Sequence, residues 1–359
     1  MAVYLILAIC VAFFWVLLSA DKIKTMTFLI LSFGLMALVL GCRGANVGED
    51  TAGYLEIASL SQHMSWEQIF SNFPLSTFAY DQWGYPRQTE TIFLALNKVI
   101  VEMTNNSQCV LMICAVVTCL GFGRFIYQNS HDIGQSTWLF LCDSMFMFGF
   151  NGMRQLMAMA LALQFYGCFK CGRYIQGILW IAIATLFHAS CFVYFGLAAV
   201  YLICKATRGY RVVLVCSFVW PAIISVIGAV VSALFPRYAL YFQLSYWNAS
   251  LGGFVVVLAI LCLMLFLALA QKDKDLEERY LVVNAVLYLT LEIVSQRLTT
   301  LTRIAFMPRS YLMLFYPRTL EYIDKHARTL IFMALNGALL LLYLSAAASP
   351  ARNYLPFWN

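Results

Sequence analysis

The sequence predicts an all-α, polytopic integral membrane protein with about 12 transmembrane helices. Three observations predict it. Of 359 residues, 62% are hydrophobic and only 11% charged, where a soluble domain carries about a quarter charged residues. Apolar stretches of spanning length recur from one end of the chain to the other. With loops alternating across those stretches, the basic residues fall in excess on one side, as the positive-inside rule expects. The net charge of +6 therefore reports topology, and no nucleic-acid partner is expected. No linker, repeat or separate soluble module interrupts the pattern, so residues 1–359 are expected to form a single transmembrane domain.

Taken in order, the first apolar stretch covers 3–19. It lacks a basic leader and a small-residue cleavage site, so it reads as a retained helix. A second follows at 26–41. The segment 42–89 is the one long polar stretch and is expected to be an outer loop. Its aromatics, Trp66, Phe70, Phe73, Phe78, Tyr80, Trp83 and Tyr85, suit either an interfacial belt or the stacking of sugar rings. Across 90–103, Ile92, Phe93, Leu96, Val99, Ile100 and Met103 repeat at helical spacing, with polar residues on the other faces. That pattern predicts an interfacial or re-entrant helix at the outer surface. Spanning segments are then expected at 108–127, 136–150, 154–170, 174–188, 189–204, 211–235, 251–270, 280–296, 301–317 and 329–348.

Several of these are short for a crossing that needs about 20 residues. Helices that stop below the surface would leave a water-filled hollow. Pro221, Pro308 and Pro317 mark expected kinks, and 236–250 is a second aromatic outer segment. The twelve cysteines fall mostly inside apolar runs, where a thiol packs as a small hydrophobe. Cys168 and Cys171 have CxxC spacing but stand without a second pair, so no metal site is read there.

If the turn holding Lys22 and Lys24 is cytoplasmic, 14 of the 23 basic residues lie inside. The outer nine are one lysine, Lys98, and eight arginines: Arg43, Arg87, Arg154, Arg237, Arg297, Arg303, Arg309 and Arg352. Arginine offers a planar fork of donors that fits phosphate and carboxylate, which topology alone would not require.

On this topology the unusual polar residues converge on the outer face. Arg43 and Asp50 follow the second helix, within Arg43-Gly-Ala-Asn-Val-Gly48-Glu-Asp50-Thr-Ala-Gly53-Tyr54. Glu90 opens the interfacial helix; Arg154 and Gln155 break an apolar region, and His188 lies at a hairpin tip. Arg297 and Arg303 flank a later outer turn, with Arg309 further along. An arginine within the apolar zone costs about 2.5–3.5 kcal/mol to insert, so such charges are functional candidates by default. The alternatives are ordinary: Arg154 snorkels, His188 is a satisfied core histidine, and Arg297 and Arg303 anchor helix ends. Arginines gathered around one cavity suit a polyanion such as pyrophosphate, and a neighbouring carboxylate or histidine can take a hydroxyl proton. No spacing resembles a zinc site, a phosphate-binding glycine loop or a serine elbow, and no cofactor is expected.

The order of these motifs resembles the EpsG/Wzy-type family of polysaccharide polymerases. The matching pieces are Arg43…Gly48-Glu-Asp50…Tyr54, Glu90-Thr-Ile-Phe-Leu-Ala-Leu-Asn97, Phe125-Ile-Tyr127, Met153-Arg154-Gln155, Leu186-Phe-His188-Ala-Ser190 and the region of Arg303. Each is degenerate, and their order carries the weight. Gly48-Glu-Asp50 stands where Gly-Thr-Asp would be expected, no proline follows Glu90, and Arg303 and Arg309 compete for the late element.

The resemblance implies a metal-independent, inverting glycosyltransferase in a bacterial plasma membrane, with its site on the outer face. The donor would be a glycan on undecaprenyl pyrophosphate and the acceptor the next lipid-linked repeat unit; a chain-length regulator is a further partner consistent with that chemistry. The product class would be capsule, exopolysaccharide or O-antigen. Arg154 with Arg297 or Arg303 would neutralise the departing pyrophosphate, and His188, Asp50 or Glu90 would be the base. Arg43 with Asp50 would order the loop or hold the acceptor. The competing classes are an O-antigen-ligase-like glycan transferase and a flippase for lipid-linked oligosaccharides.

Overall fold

A computed structural model describes residues 1–71, 73, 76–80, 86–234, 251–295 and 300–358, with the backbone alone described at 76–80, 86–88, 221–234, 251–254 and 300. The chain clusters into two compact units. The first is Met1–Asn129, Thr137–Phe192 and Leu339–Asn359; the second is Ser130–Ser136 and Val193–Ala338.

The first unit begins with α1 (Ala2–Ser19) and α2 (Thr25–Gly41), both formed from unbroken apolar runs. After them come α3 (Thr51–His63), α4 (Trp66–Phe70), and the hairpin β1 (Ser76–Tyr80) and β2 (Pro86–Glu90). The hairpin is antiparallel, with Ser76 opposite Glu90. Next are α5 (Thr91–Thr104), α6 (Gln108–Asn129), α7 (Ile133–Cys142, of which the part from Thr137 belongs to this unit), α8 (Met145–Phe148), α9 (Met153–Ala162), α10 (Gln164–Lys170) and α11 (Tyr174–Phe187). A 3₁₀ turn over Ala189–Phe192 closes this stretch.

Helices α2 and α6 run antiparallel and close together. A Cβ on Gly41 would lie 3.0 Å from Met112 Cα, and one on Gly123 would lie 3.2 Å from the Phe33 ring. The core joins α3, α5, α6 and α9 through Ala58, Phe93, Val101, Leu111, Met153 and Met157. The chain's C-terminal stretch belongs to this unit as well: the Tyr343 hydroxyl donates to the Tyr4 carbonyl at 3.0 Å.

The second unit holds α12 (Val193–Cys204), α13 (Thr207–Leu234), α14 (Leu251–Ala270), α15 (Leu276–Ser295), α16 (Thr300–Arg309), α17 (Leu312–Leu320) and the larger part of α18 (Lys325–Ala347). Buried Tyr280 sets its edge against Tyr201 and Tyr311, at 5.3 and 5.1 Å between ring centroids. At the start of α15 and end of α17, Arg318 gathers Asp275, Glu278 and Glu321 at 3.0–3.2 Å.

The protein is all-α apart from its small hairpin, and it is a membrane protein by helix length and composition. Among the described residues, Ala2–Ser19, Gln108–Asn129 and Lys325–Ala347 are long and apolar enough to cross a bilayer. Thr25–Gly41, Tyr174–Phe187, Ala189–Cys204 and Val255–Ala270 are shorter apolar helices. Several expected spans are instead broken helices. The run 136–150 divides at Asp143 and Ser144, and Ser144 takes a left-handed backbone with φ 63°. The run 301–317 divides at Ser310–Tyr311, just after Pro308, whose ring removes an amide donor from the ladder. Within the expected loop 42–89, two helices and the hairpin carry most of the chain. Trp83, Tyr85 and the segment 236–250 lie outside the described residues.

Candidate active site

Three helix ends in the first unit bring a carboxylate, a guanidinium and an imidazole into contact. Glu90 is the last residue of β2 and the N-cap of α5, with extended backbone (φ −62°, ψ 135°). Arg154 is the second residue of α9, entered through Gly152. A Cβ on Gly152 would come within 2.2 Å of the Phe148 ring, so any larger residue at the start of this helix would have to displace that ring. His188 is the C-cap of α11, also extended (φ −155°, ψ 113°), and the 3₁₀ turn begins immediately after it.

Glu90 sits between the two bases. Arg154 Nη1 lies 2.7 Å from its Oε2, and His188 Nδ1 lies 3.0 Å from its Oε1. The Ala189 amide donates to the same Oε1 at 3.0 Å. The three side chains are 13%, 17% and 11% exposed for Glu90, Arg154 and His188, so the contact is largely shielded from solvent without being sealed. Both contacts with Glu90 are ones of charge and proximity. Arg154 Nη1 and Nε, His188 Nδ1 and Glu90 Oε2 make no aligned hydrogen bond within the protein. Beside them the hydroxyls of Thr89 and Ser190 are buried without a hydrogen-bond partner. Buried polar atoms are normally satisfied, so this cluster has donor capacity that the protein does not use.

The floor is apolar. The Arg154 guanidinium lies 5.6 Å over the ring of fully buried Phe93, and Tyr54 meets the same ring edge-on at 6.4 Å. Tyr54 donates its hydroxyl to the Asn151 carbonyl at 3.1 Å, and the Asn151 side chain accepts the Glu49 amide at 3.2 Å. Burial alone would raise the Glu90 pKa, but its contact with His188, the Arg154 charge and the Ala189 amide together lower it to about 2. The group is thus a fixed anion at neutral pH. It can orient the imidazole and hold the arginine, but it is a weak proton acceptor.

The other sequence candidates lie elsewhere. Arg43 follows α2 and is 0% exposed. Its Nε donates to Thr51 Oγ1 at 2.9 Å, Nη1 to the Leu40 carbonyl at 2.8 Å, and Nη2 meets Met153 Sδ at 3.5 Å. Its guanidinium lies 5.4 Å from the Phe150 ring. Burial pulls its pKa down to about 10, which leaves it charged at neutral pH. Gln108 Nε2 donates to the Gly41 and Arg43 carbonyls, at 2.7 and 3.0 Å, and the Gly44 amide to the Leu355 carbonyl at 2.7 Å. Gly48, at φ +88°, lies where a Cβ would stand 2.3 Å from the Phe150 carbonyl oxygen. Asp50 is half-buried as the N-cap of α3, without a side-chain capping bond. Gln155 is 2% exposed on α9.

Of the predicted residues, Glu90, Arg154 and His188 touch directly, and Tyr54 joins them through Phe93 and Asn151. Arg303, exposed, and Arg309, buried, belong to the second unit. The Arg309 guanidinium lies 5.0 Å from the Tyr288 ring. Arg297 lies outside the described residues. The sequence reading missed Thr89, the Ala189 amide and the Phe93 floor. Ser190 was visible only as a motif neighbour of His188, and a backbone amide leaves no mark in a sequence. Among the described residues no three His, Cys, Asp or Glu side chains are placed to hold a metal ion.

The EpsG family model matches residues 26–358, nearly the whole chain. That match marks a membrane protein of polysaccharide biosynthesis, polymerase-like in kind. No curated protein and no solved structure matches the chain.

Proposed function

The chain belongs to the EpsG family, and on that premise we propose that it is a polysaccharide polymerase of the bacterial plasma membrane, working at the outer face. It transfers a growing glycan from undecaprenyl pyrophosphate onto a sugar hydroxyl of the next lipid-linked repeat unit, inverting the anomeric centre and using no metal. The observation that carries this reading is the contact chain Arg154–Glu90–His188.

The Glu90 carboxylate, 3.0 Å from His188 Nδ1, favours the imidazole proton on that nitrogen by its charge and leaves Nε2 as the acceptor. The acceptor hydroxyl gives its proton to Nε2 as its oxygen bonds to the anomeric carbon. The bond from that carbon to the pyrophosphate oxygen breaks, and its electron pair leaves with the lipid pyrophosphate. Arg154, with donors that no protein acceptor uses, neutralises the charge growing on that leaving group. Arg43 with Asp50 orders the loop before α3, and Tyr54 and Gln155 line the acceptor side. The imidazolium returns its proton to water after product leaves.

The test is purified protein given a lipid-linked repeat unit, scored for a ladder of lengthening products. A ligase built on the same residues would move a glycan once without lengthening it, and a flippase would leave the substrate unjoined. Either result overturns the polymerase reading.

A further inference from the structure

Away from the polar cluster, the outward face of the α2–α6 pair carries an apolar groove of about 730 Å³. It runs from Met26 to Cys42, the whole length of α2, which at 1.5 Å per residue is about 25 Å. That approaches the hydrocarbon thickness of a bilayer, about 30 Å. Its walls are exposed apolar side chains, among them Ile30, Leu38 and Leu120, each at least 60% accessible. The depth comes from glycine: Gly34 lines the groove, and a Cβ there would meet nothing within 4 Å.

The groove has one polar end. Among the described residues that line it, Arg124 and Tyr127, both exposed on α6, are the ones with a charged or hydroxyl-bearing side chain. Gly41 packs on Met112 and Phe33 on Gly123, so the antiparallel pair brings Met26 level with Tyr127. Arg124 therefore stands at the Lys22–Lys24 end of α2, the side that positive-inside topology makes cytoplasmic. Among the described residues no carboxylate forms an ion pair with Arg124. Among the described residues, the opposite end, at Gly41 and Cys42, has no charged lining residue.

We propose that this groove binds an anionic diacyl phospholipid of the cytoplasmic leaflet, one acyl chain along α2–α6 and its phosphate on Arg124 and Tyr127. A guanidinium and a phenol at the mouth of an apolar slot match a phosphodiester above a hydrocarbon chain. Charge placement separates this lipid from the glycan carrier of the proposed reaction, whose diphosphate must lie at the other surface. A packed partner helix would fill the slot but would leave Arg124 without a counter-ion.

The test is native mass spectrometry of the full-length protein released from detergent, titrated with phosphatidylglycerol, phosphatidylcholine, a polyprenyl phosphate and inorganic phosphate. Wild type is expected to hold phosphatidylglycerol in preference to the other three. Arg124→Gln, an exposed change, should weaken that binding about fivefold and erase the preference over phosphatidylcholine. Gly34→Phe, whose ring enters open space, should remove the bound lipid while the protein stays monodisperse. Gly34→Leu repeats the occlusion with a smaller group should the phenylalanine variant fail to fold. Equal binding of both phospholipids by wild type, displacement by inorganic phosphate alone, preference for the polyprenyl phosphate, or unchanged lipid in Arg124→Gln and an occluding variant would each overturn the proposal. All these outcomes are read without product formation, so they stand apart from the success or failure of the polymerase assay.

Discussion

Arg43 and Arg154 are both arginines at helix ends in the same unit, and they are employed in opposite ways. Arg43 has no solvent exposure, and its donors go to a threonine hydroxyl, a main-chain carbonyl and a methionine sulfur. None of these partners is charged, and among the described residues no carboxylate pairs with it. Arg154 keeps an opening to solvent, faces the carboxylate of Glu90, and leaves donors unaligned with any protein acceptor. An enclosed guanidinium whose directions are taken up by neutral groups ties chain segments together. One held by charge, with unused donors beside an imidazole, is ready to meet an anionic ligand. The lesson is that an arginine in an apolar chain is diagnosed by its partners and not by its cost of insertion.

The sharpest way to break this contrast is to exchange consequences. Arg154→Ala should abolish the product ladder, a loss of about 10²–10³-fold or more if it stabilises the leaving group. Protein level and unfolding temperature should change little, and long chains made by this variant would sink its assigned role. Arg43→Ala should do the reverse, removing about 2–4 kcal/mol of stability by stranding Thr51 and the Leu40 carbonyl and opening a cavity. The measurement is the thermal midpoint of the detergent-solubilised protein, and a fully stable Arg43→Ala that cannot elongate would erase the distinction.

Two smaller effects probe the carboxylate between the bases. Glu90→Gln keeps the shape but removes the charge that fixes His188. Elongation should fall about 10–100-fold while substrate binding is largely kept, by analogy with losses of orienting partners around a reactive imidazole. An unaltered rate would show that His188 needs no orienting partner. The lowered pKa of Glu90 has a signed consequence. A carboxyl whose folded value lies below its unfolded value stabilises the fold above the ordinary value of 4.5, and that contribution fades as pH falls toward about 2. Wild type should therefore lose thermal stability across that window more steeply than Glu90→Gln, read as the difference between their melting temperatures at pH 6 and pH 3.

Much of the fold could be read from residues because α1, α2 and α6 are long apolar runs whose ends coincide with polar or charged residues. The two broken helices differ in this respect. Pro308 announces the break at Ser310–Tyr311, whereas at Asp143–Ser144 two polar residues inside an apolar run do not by themselves say that the ladder stops there. The helices α3 and α4 were hidden for another reason: a polar segment beside a membrane reads as loop whether or not its amides are paired. At the site, Glu90, Arg154 and His188 were each visible as polar intrusions, but 64 and 98 residues separate the carboxylate from its two partners along the chain. Nothing in one sequence announces their contact. Nor could charge alone tell that Arg43 is enclosed.

One feature of the hairpin sets a tolerance for everything built around it. The main chain of Glu90 is pinned twice, by its register opposite Ser76 and by the first turn of α5. With its Cα immobilised, the distance to guanidinium and imidazole is metered by the side chain's two methylene groups alone. Aspartate, chemically the same acid, would be a ruler cut one notch short, able to reach one of its neighbours but not both.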